Sequence, residues 1–92
     1  MERRVAVRKP IICRMEGSAG EQTFTADGCD MSETGISFAC PQLLPVHSEA
    51  TLRYRMQHNG PLVIARVLIR QQSGHRYGAK FLDRRVAPMA TD

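Results

Sequence analysis

The sequence has 92 residues, of which 42% are hydrophobic and 24% charged. This length allows one domain with a modest core and disfavours a deep enzyme cleft, and the composition excludes a disordered chain. The net charge is +4, and eleven of the thirteen basic residues are arginine. A guanidinium group pairs with phosphate through two nitrogens, so this bias favours phosphate recognition, although a GC-rich genome would produce the same bias.

The first elements in chain order are a basic arm and a strand. Residues 1–9 (MERRVAVRK) form a predicted flexible arm that ends at Pro10, because proline disfavours helix at the residue before it. From Ile11 to Met15, apolar residues fall on alternate positions, which is the period of a half-buried strand. Residues 17–20 (GSAG) predict the turn that ends this strand.

Two further strands are predicted on either side of a short polar segment. Residues 23–25 open the first of them, and Gly28 is expected to bend or bulge it. Residues 30–35 (DMSETG) predict a tight connection, and residues 36–40 predict the next strand.

The second half of the chain repeats this pattern. Residues 51–56 alternate as a half-buried strand, residues 58–61 (HNGP) predict a turn, and residues 62–69 form a nearly continuous apolar run typical of a central strand. Residues 73–74 predict a turn into a last strand over residues 76–82, in which Tyr77, Ala79 and Phe81 alternate with Arg76, Gly78 and Lys80. About six short strands with turns between them indicate an all-β domain, either a small antiparallel barrel or a sandwich.

The cysteines and the N-terminal residues indicate the cellular compartment of the protein. Cys13, Cys29 and Cys40 are odd in number and lack close C-x-x-C spacing, which argues against a disulfide framework and a structural zinc site. The N-terminus does not resemble a signal peptide, and no stretch approaches the roughly 18 apolar residues of a membrane-spanning helix. We therefore expect a cytoplasmic protein without a membrane span.

The first candidate ligand cluster is the arginine group of the arm, Arg3, Arg4 and Arg8. In an extended or bent arm, these side chains could grip a phosphate-bearing ligand from two sides. The alternative is a solvated basic terminus that binds nothing.

The second candidate cluster is Asp30, Ser32 and Gly35. Asp30 and Ser32 are two residues apart, so on a strand both side chains would face one side. A carboxylate can accept two hydrogen bonds from a guanine edge, a hydroxyl can serve a phosphate or sugar oxygen, and glycine permits positive φ or close approach of backbone to a flat ligand. The alternative is a local turn in which both side chains only satisfy backbone groups.

Together the two clusters resemble the signature of the PilZ domain family. RVAVR (Arg4 to Arg8) matches the motif R-x-x-x-R, and DMSETG (Asp30 to Gly35) matches [D/N]-x-S-x-x-G. HRYGAKFL (residues 75–82) is similar to the last barrel strand of the family. The resemblance covers roughly residues 3–82.

The resemblance implies a small six-stranded antiparallel β-barrel, of the split-barrel kind, that binds the bacterial second messenger cyclic di-GMP. It divides the chain into the arm over residues 1–9, the barrel over residues 10–82 and a loose tail over residues 83–92. Many PilZ domains carry a C-terminal helix on the barrel, and we expect little or no such helix here. The barrel mouth would then be open, or covered by a partner protein or a second copy.

The family motifs also imply roles for individual residues. Arg4 and Arg8 would take the phosphates and stack on or hydrogen-bond the guanines. Asp30 would read a guanine edge, Ser32 would add a polar contact, and Gly35 would let the backbone approach the ligand.

Arg70 and the three histidines are weaker candidates for ligand or metal binding. Arg70, at the end of the long apolar strand, is a further candidate that would stack on the outer guanine. His47, His58 and His75 stand at no metal-ligand spacing, so neither a metal nor a cofactor is expected.

The function predicted from these residues is that of a non-enzymatic receptor, since no catalytic motif is present. Ligand binding would order the arm, and the new surface would bind or release a partner protein. The resemblance to the PilZ family, and not the residues themselves, implies a role in motility, exopolysaccharide or biofilm regulation. One alternative is a small basic barrel that binds single-stranded nucleic acid; another is a PilZ-like interaction adaptor. Against nucleic acid, the five aromatic residues mostly fall on the phase expected to face inward: Phe24, Phe38, Tyr54, Tyr77 and Phe81.

Arg3 generates a prediction about stoichiometry. In the PilZ family, arginine directly before the first motif arginine tends to accompany binding of an intercalated dimer of cyclic di-GMP, whereas a bulky apolar residue favours a single molecule. We expect isothermal titration calorimetry to give two ligands per wild-type chain and one for Arg3→Leu. One ligand per wild-type chain would refute the prediction.

Overall fold

The computed structural model describes residues 7–87, and all regular secondary structure in this range is β-strand. The seven strands, numbered in chain order, are β1 (Lys9–Pro10), β2 (Arg14–Ala19), β3 (Gln22–Met31), β4 (Gly35–Ala39), β5 (Glu49–Tyr54), β6 (Val63–Ser73) and β7 (Arg76–Val86). Within this range, no helix is long and apolar enough to cross a membrane.

The strands close into a barrel. Hydrogen bonding follows the order β1-β3-β2-β5-β6-β7-β4, and β4 pairs again with β3, so that β2 to β7 form a ring. Every pairing is antiparallel. The predicted six-stranded antiparallel barrel is confirmed, and β1 is a two-residue addition at the outer edge of β3.

The interior is filled by the inward-facing residues of each strand. On β5, Ala50, Leu52 and Tyr54 are buried, whereas Thr51 and Arg53 are less so, as a period of two requires. The centre is aromatic: the ring centroids of Phe24 and Phe38 lie 6.3 Å apart, and those of Phe38 and Tyr77 lie 5.6 Å apart. The interior therefore has no room for a ligand of nucleotide size.

The predicted turn over residues 17–20 is wrong in its first three positions. β2 continues through Ala19, and the hairpin turns at Gly20 and Glu21, where Gly20 has φ of 63°. Gly17 serves packing, because an added Cβ would lie 2.2 Å from the ring of Phe24.

Both predicted ends of the barrel also differ from the structure. Lys9, expected in the arm, pairs with Met31 through β1. The last strand was expected to end at Leu82, but β7 continues to Val86, which pairs with Val63 on β6. The long partner β6 explains the extension, because its backbone groups need partners along their whole length.

Candidate functional site

A one-residue bulge on β3 sets the direction of Asp30. Gly28 lies opposite Phe38 of β4, but Asp30 lies opposite Ser37, so Cys29 has no counterpart on β4. Phe38 is fully buried, whereas Ser37 faces outward between buried neighbours. Without the extra residue, the pleat would turn Asp30 inward; with it, the carboxylate lies on the outer face. The bulge predicted near Gly28 is thus confirmed.

Two arginines from distant parts of the chain hold the Asp30 carboxylate. Arg8 Nη1 donates to Oδ1 over 2.7 Å, and Arg76 Nη2 donates to Oδ2 over 2.9 Å. The Asp30 side chain is 22% exposed, and the arginines are about half exposed. Ion pairs this open to water contribute roughly 0–1 kcal/mol to stability, so they orient side chains more than they hold the fold.

Arg8 is positioned by the strand that follows it. Lys9 and Pro10 pair with the end of β3, and the Ile11 amide donates to the Cys29 carbonyl over 3.0 Å. Arg8 Nη2 lies 3.7 Å from where a Cβ of Gly35 would stand. The guanidinium group therefore spans from Asp30 to the backbone at Gly35.

The loop between β3 and β4 is held by Ser32. Its Oγ accepts hydrogen bonds from the amides of Thr34 and Gly35, both at 3.2 Å, and the Ser32 amide donates to the Gly35 carbonyl over 2.8 Å. Ser32 is 8% exposed and follows the last residue of β3. Ser32 therefore satisfies backbone groups of a local turn, which is the alternative interpretation of the motif, whereas Asp30 pairs with remote arginines. The expectation that both side chains lie on one face of a strand is wrong.

Gly35 is required by close packing against β7. A Cβ at this position would lie 2.6 Å from the carbonyl oxygen of Ala79. Positive φ occurs at other glycines of the described range, Gly20 and Gly74. Gly35 does not have positive φ, and the group that approaches it in the structure is the backbone of β7; close approach to a ligand stays a prediction.

A surface groove of about 440 Å³ lies beside this loop. Its lining residues come from the arm, the β3–β4 loop, the start of β4, and the strands β6 and β7: Arg8, Thr34, Gly35, Arg70, Gln71, Gly78, Ala79 and Lys80. Three of these are cationic and none is acidic. A bulge on β6 lies at this groove. Ile69 pairs with Ala79 of β7 and Gln71 pairs with Gly78, so Arg70 has no counterpart on β7.

The comparison with known protein families matches residues 2–90 to the PilZ domain. This match spans nearly the whole chain. The protein belongs to the PilZ domain family. No curated protein matches the chain. PilZ domains are in general ligand-binding receptor domains for cyclic di-GMP.

The PilZ barrel brings most of the predicted site residues to one side. Arg8 and Gly35 line the groove, Arg70 joins them there, and Asp30 lies beside it through its contact with Arg8. Ser32 belongs to the β3–β4 loop but is 8% exposed and does not line the groove. Arg3 and Arg4 lie outside the described residues.

Sequence reasoning missed Arg76. It lies on β7, in the segment that resembles the last barrel strand of the family, where strand alternation predicts an outward-facing side chain but no partner. Its contact with Asp30 depends on β4 lying between β3 and β7, which no local pattern reveals. Lys80 and Gln71 were missed for the same reason.

Two further features concern metal binding and cysteine reactivity in the described part of the chain. Among residues 7–87, no three His, Cys, Asp or Glu side chains come together in a way that could hold a metal ion. Burial, and secondarily the nearby Asp27 carboxylate, raise the pKa of the Cys13 thiol above its usual value. This cysteine therefore stays protonated and weakly nucleophilic at neutral pH.

The packing of Gly35 yields a stability prediction. Gly35→Ala should lower the free energy of unfolding by about 1–3 kcal/mol, because the added methyl group displaces the β7 backbone. Gly78→Ala is the matched control, since its Cβ would meet the flexible Gln71 side chain at 3.0 Å. Urea unfolding measures both variants, and equal stability of the two would contradict this account.

Proposed function

We propose that this PilZ domain binds cyclic di-GMP on its outer surface, at the groove between the arm and the strands β6 and β7. The observation that carries the proposal is the outward-facing Asp30 carboxylate beside a groove with three cationic side chains. A guanine edge presents two donors, N1–H and the exocyclic amine, to an acceptor pair such as a carboxylate.

The charge of the groove suits a ligand with two phosphates. Arg8, Arg70 and Lys80 line it without any acidic residue. Their combined field attracts a dianion and speeds its association. Arg8 can keep Asp30 with Nη1 and offer its other nitrogens to phosphate, because Nη2 already lies over Gly35. We propose that Arg3 and Arg4 add phosphate contacts from the arm.

The shape of the groove suits a flat base. Gly35 and Gly78 carry no side chain, so the strand backbones form a low floor there. Arg70 stands at the side, where its planar guanidinium can stack on a purine. Ser32 contributes by holding the loop that carries Gly35. An intercalated dimer of the ligand would extend this stack outward, as the Arg3 prediction requires.

Binding of single-stranded nucleic acid is the weaker alternative. Such proteins stack bases on exposed aromatic rings. Among the described residues, Phe24, Phe38, Tyr54 and Tyr77 are all buried. Phe81 is partly buried, and the Arg84 guanidinium lies 4.2 Å from its ring centroid. The aromatic residues therefore serve the core.

The signalling role we propose is that of a switch. Ligand phosphates would recruit the arginines of the arm, and the ordered arm would bind or release a partner protein. The three free cysteines are consistent with a cytoplasmic location. Motility, exopolysaccharide output and biofilm formation are the processes that we propose for this receptor.

Titration with cyclic di-GMP tests the site. Asp30→Ala and Arg8→Gln should each weaken binding by about 10- to 100-fold, the range for a hydrogen bond to a charged group. The Asp30 result is diagnostic, because removing a negative charge beside a dianion should otherwise strengthen binding.

The control for this titration is Arg14→Gln. Arg14 pairs with Asp27 at 2.9 Å, outside the groove, so the variant removes the same charge without touching the site. It should bind nearly as well as the wild type. Normal affinity of the Asp30 or Arg8 variant would show that the site is elsewhere, and a folded wild type that ignores the nucleotide would leave the adaptor alternative.

Hydrogen exchange tests the switch. Amides of residues 1–8 should exchange more slowly once cyclic di-GMP is added, since phosphate contacts hold the arm. Asp30→Ala at the same ligand concentration should show less protection, because less ligand is bound. Unchanged exchange in a saturated wild type would contradict the arm model.

A further inference from the structure

Arg76 reaches Asp30 across an intervening strand. β4 lies between β3 and β7, and Arg76 stands opposite Ala39 of β4. From there its Nη2 donates to Asp30 Oδ2 over 2.9 Å and to Ser37 Oγ over 3.3 Å. The outward residues of β4 are small, which leaves a path for the arginine side chain.

The two arginines on Asp30 differ in how firmly they are held. Arg8 precedes a two-residue edge strand that pairs only with β3. Arg76 belongs to β7, which is hydrogen-bonded to β4 on one side and to β6 on the other. Arg76 is therefore the fixed partner of the carboxylate, and Arg8 is the partner that can adjust to a ligand.

This arrangement leaves the carboxylate able to accept further hydrogen bonds. Two carboxylate oxygens offer about four acceptor sites, and the arginines use one on each oxygen. Because Arg76 holds Oδ2, the free acceptor sites of the carboxylate keep their orientation even if Arg8 turns toward a phosphate. A carboxylate held in advance loses less conformational freedom on binding.

We propose that Arg76 is a positioning residue that determines guanine specificity by aiming the Asp30 carboxylate at the base. This inference rests on the proposed binding of cyclic di-GMP and goes beyond it, because it assigns base selectivity to a residue outside both signature motifs. Arg76 acts through Asp30 and makes no contact of its own with the base.

The test compares cyclic di-GMP with cyclic di-IMP, whose hypoxanthine bases lack the exocyclic amine but keep N1–H and both phosphates. Wild type should prefer cyclic di-GMP by about tenfold, the equivalent of one hydrogen bond to a charged group. Arg76→Gln should reduce this preference to about two- to threefold. Arg76→Lys keeps the charge but not the planar fork, so it should bind more tightly than Arg76→Gln while its preference stays below that of wild type.

A double-mutant cycle with Asp30→Ala separates positioning from direct contact. If Arg76 acts through Asp30, Arg76→Gln should leave the preference unchanged in the Asp30→Ala background, and it should weaken both ligands there only by the small amount that the loss of one nearby positive charge causes. If Arg76 instead touches phosphate, it should weaken both ligands equally in either background, and that result would overturn the inference. Arg14→Gln is again the control and should keep the wild-type preference.

The outcomes also distinguish this inference from the proposed function. A wild type that binds neither nucleotide refutes the proposed function. A wild type that binds cyclic di-GMP while Arg76→Gln keeps the full preference refutes the positioning role alone. Equal binding of both nucleotides by wild type also refutes it, because Asp30 would then not read the amine.

Discussion

The direction of the Asp30 carboxylate depends on one extra residue in β3. Side chains of a strand alternate between the two faces of a sheet, so a single unpaired residue exchanges inside and outside for everything that follows it. Cys29 is that residue. Because of it, Met31 packs against the core while Asp30 meets Arg8 and Arg76 on the surface. An unpaired carboxylate turned inward would instead destabilise the barrel.

A bulge also occurs where β6 pairs with β7. Arg70 has no counterpart on β7, so Arg70 and Gln71 both reach the groove although they are neighbours in sequence. Regular pairing would have turned one of them toward the interior. Two bulges on different strands thus bring polar side chains to one area of the outer surface, and the barrel remains closed.

The proposed ligand site lies on the outside of the barrel because the interior has no free volume. Phe24, Phe38 and Tyr77 stack through the centre, and Tyr77 also fixes the chain after β4 by accepting from the Leu44 amide and donating to the Gln42 carbonyl. A filled interior cannot admit a dinucleotide. The surface that we propose for the ligand is the groove beside β6 and β7, where Gly35 and Gly78 keep the floor low.

The sequence by itself determined that the chain is built of strands and that it carries the two motifs, because these depend on local periodicity and residue spacing. It also indicated the bulge near Gly28, since glycine in a strand often marks one. Tertiary structure decided the features that local sequence patterns do not contain. It places β7 two strands from β3, so that Arg76 contacts Asp30. It also directs the Ser32 side chain to the backbone of its own loop. The turn assigned to residues 17–20 failed for the same reason, because Gly17 is small to accommodate Phe24 from the neighbouring strand. Contacts between strands depend on register and closure, and these are set by the packing of the whole barrel.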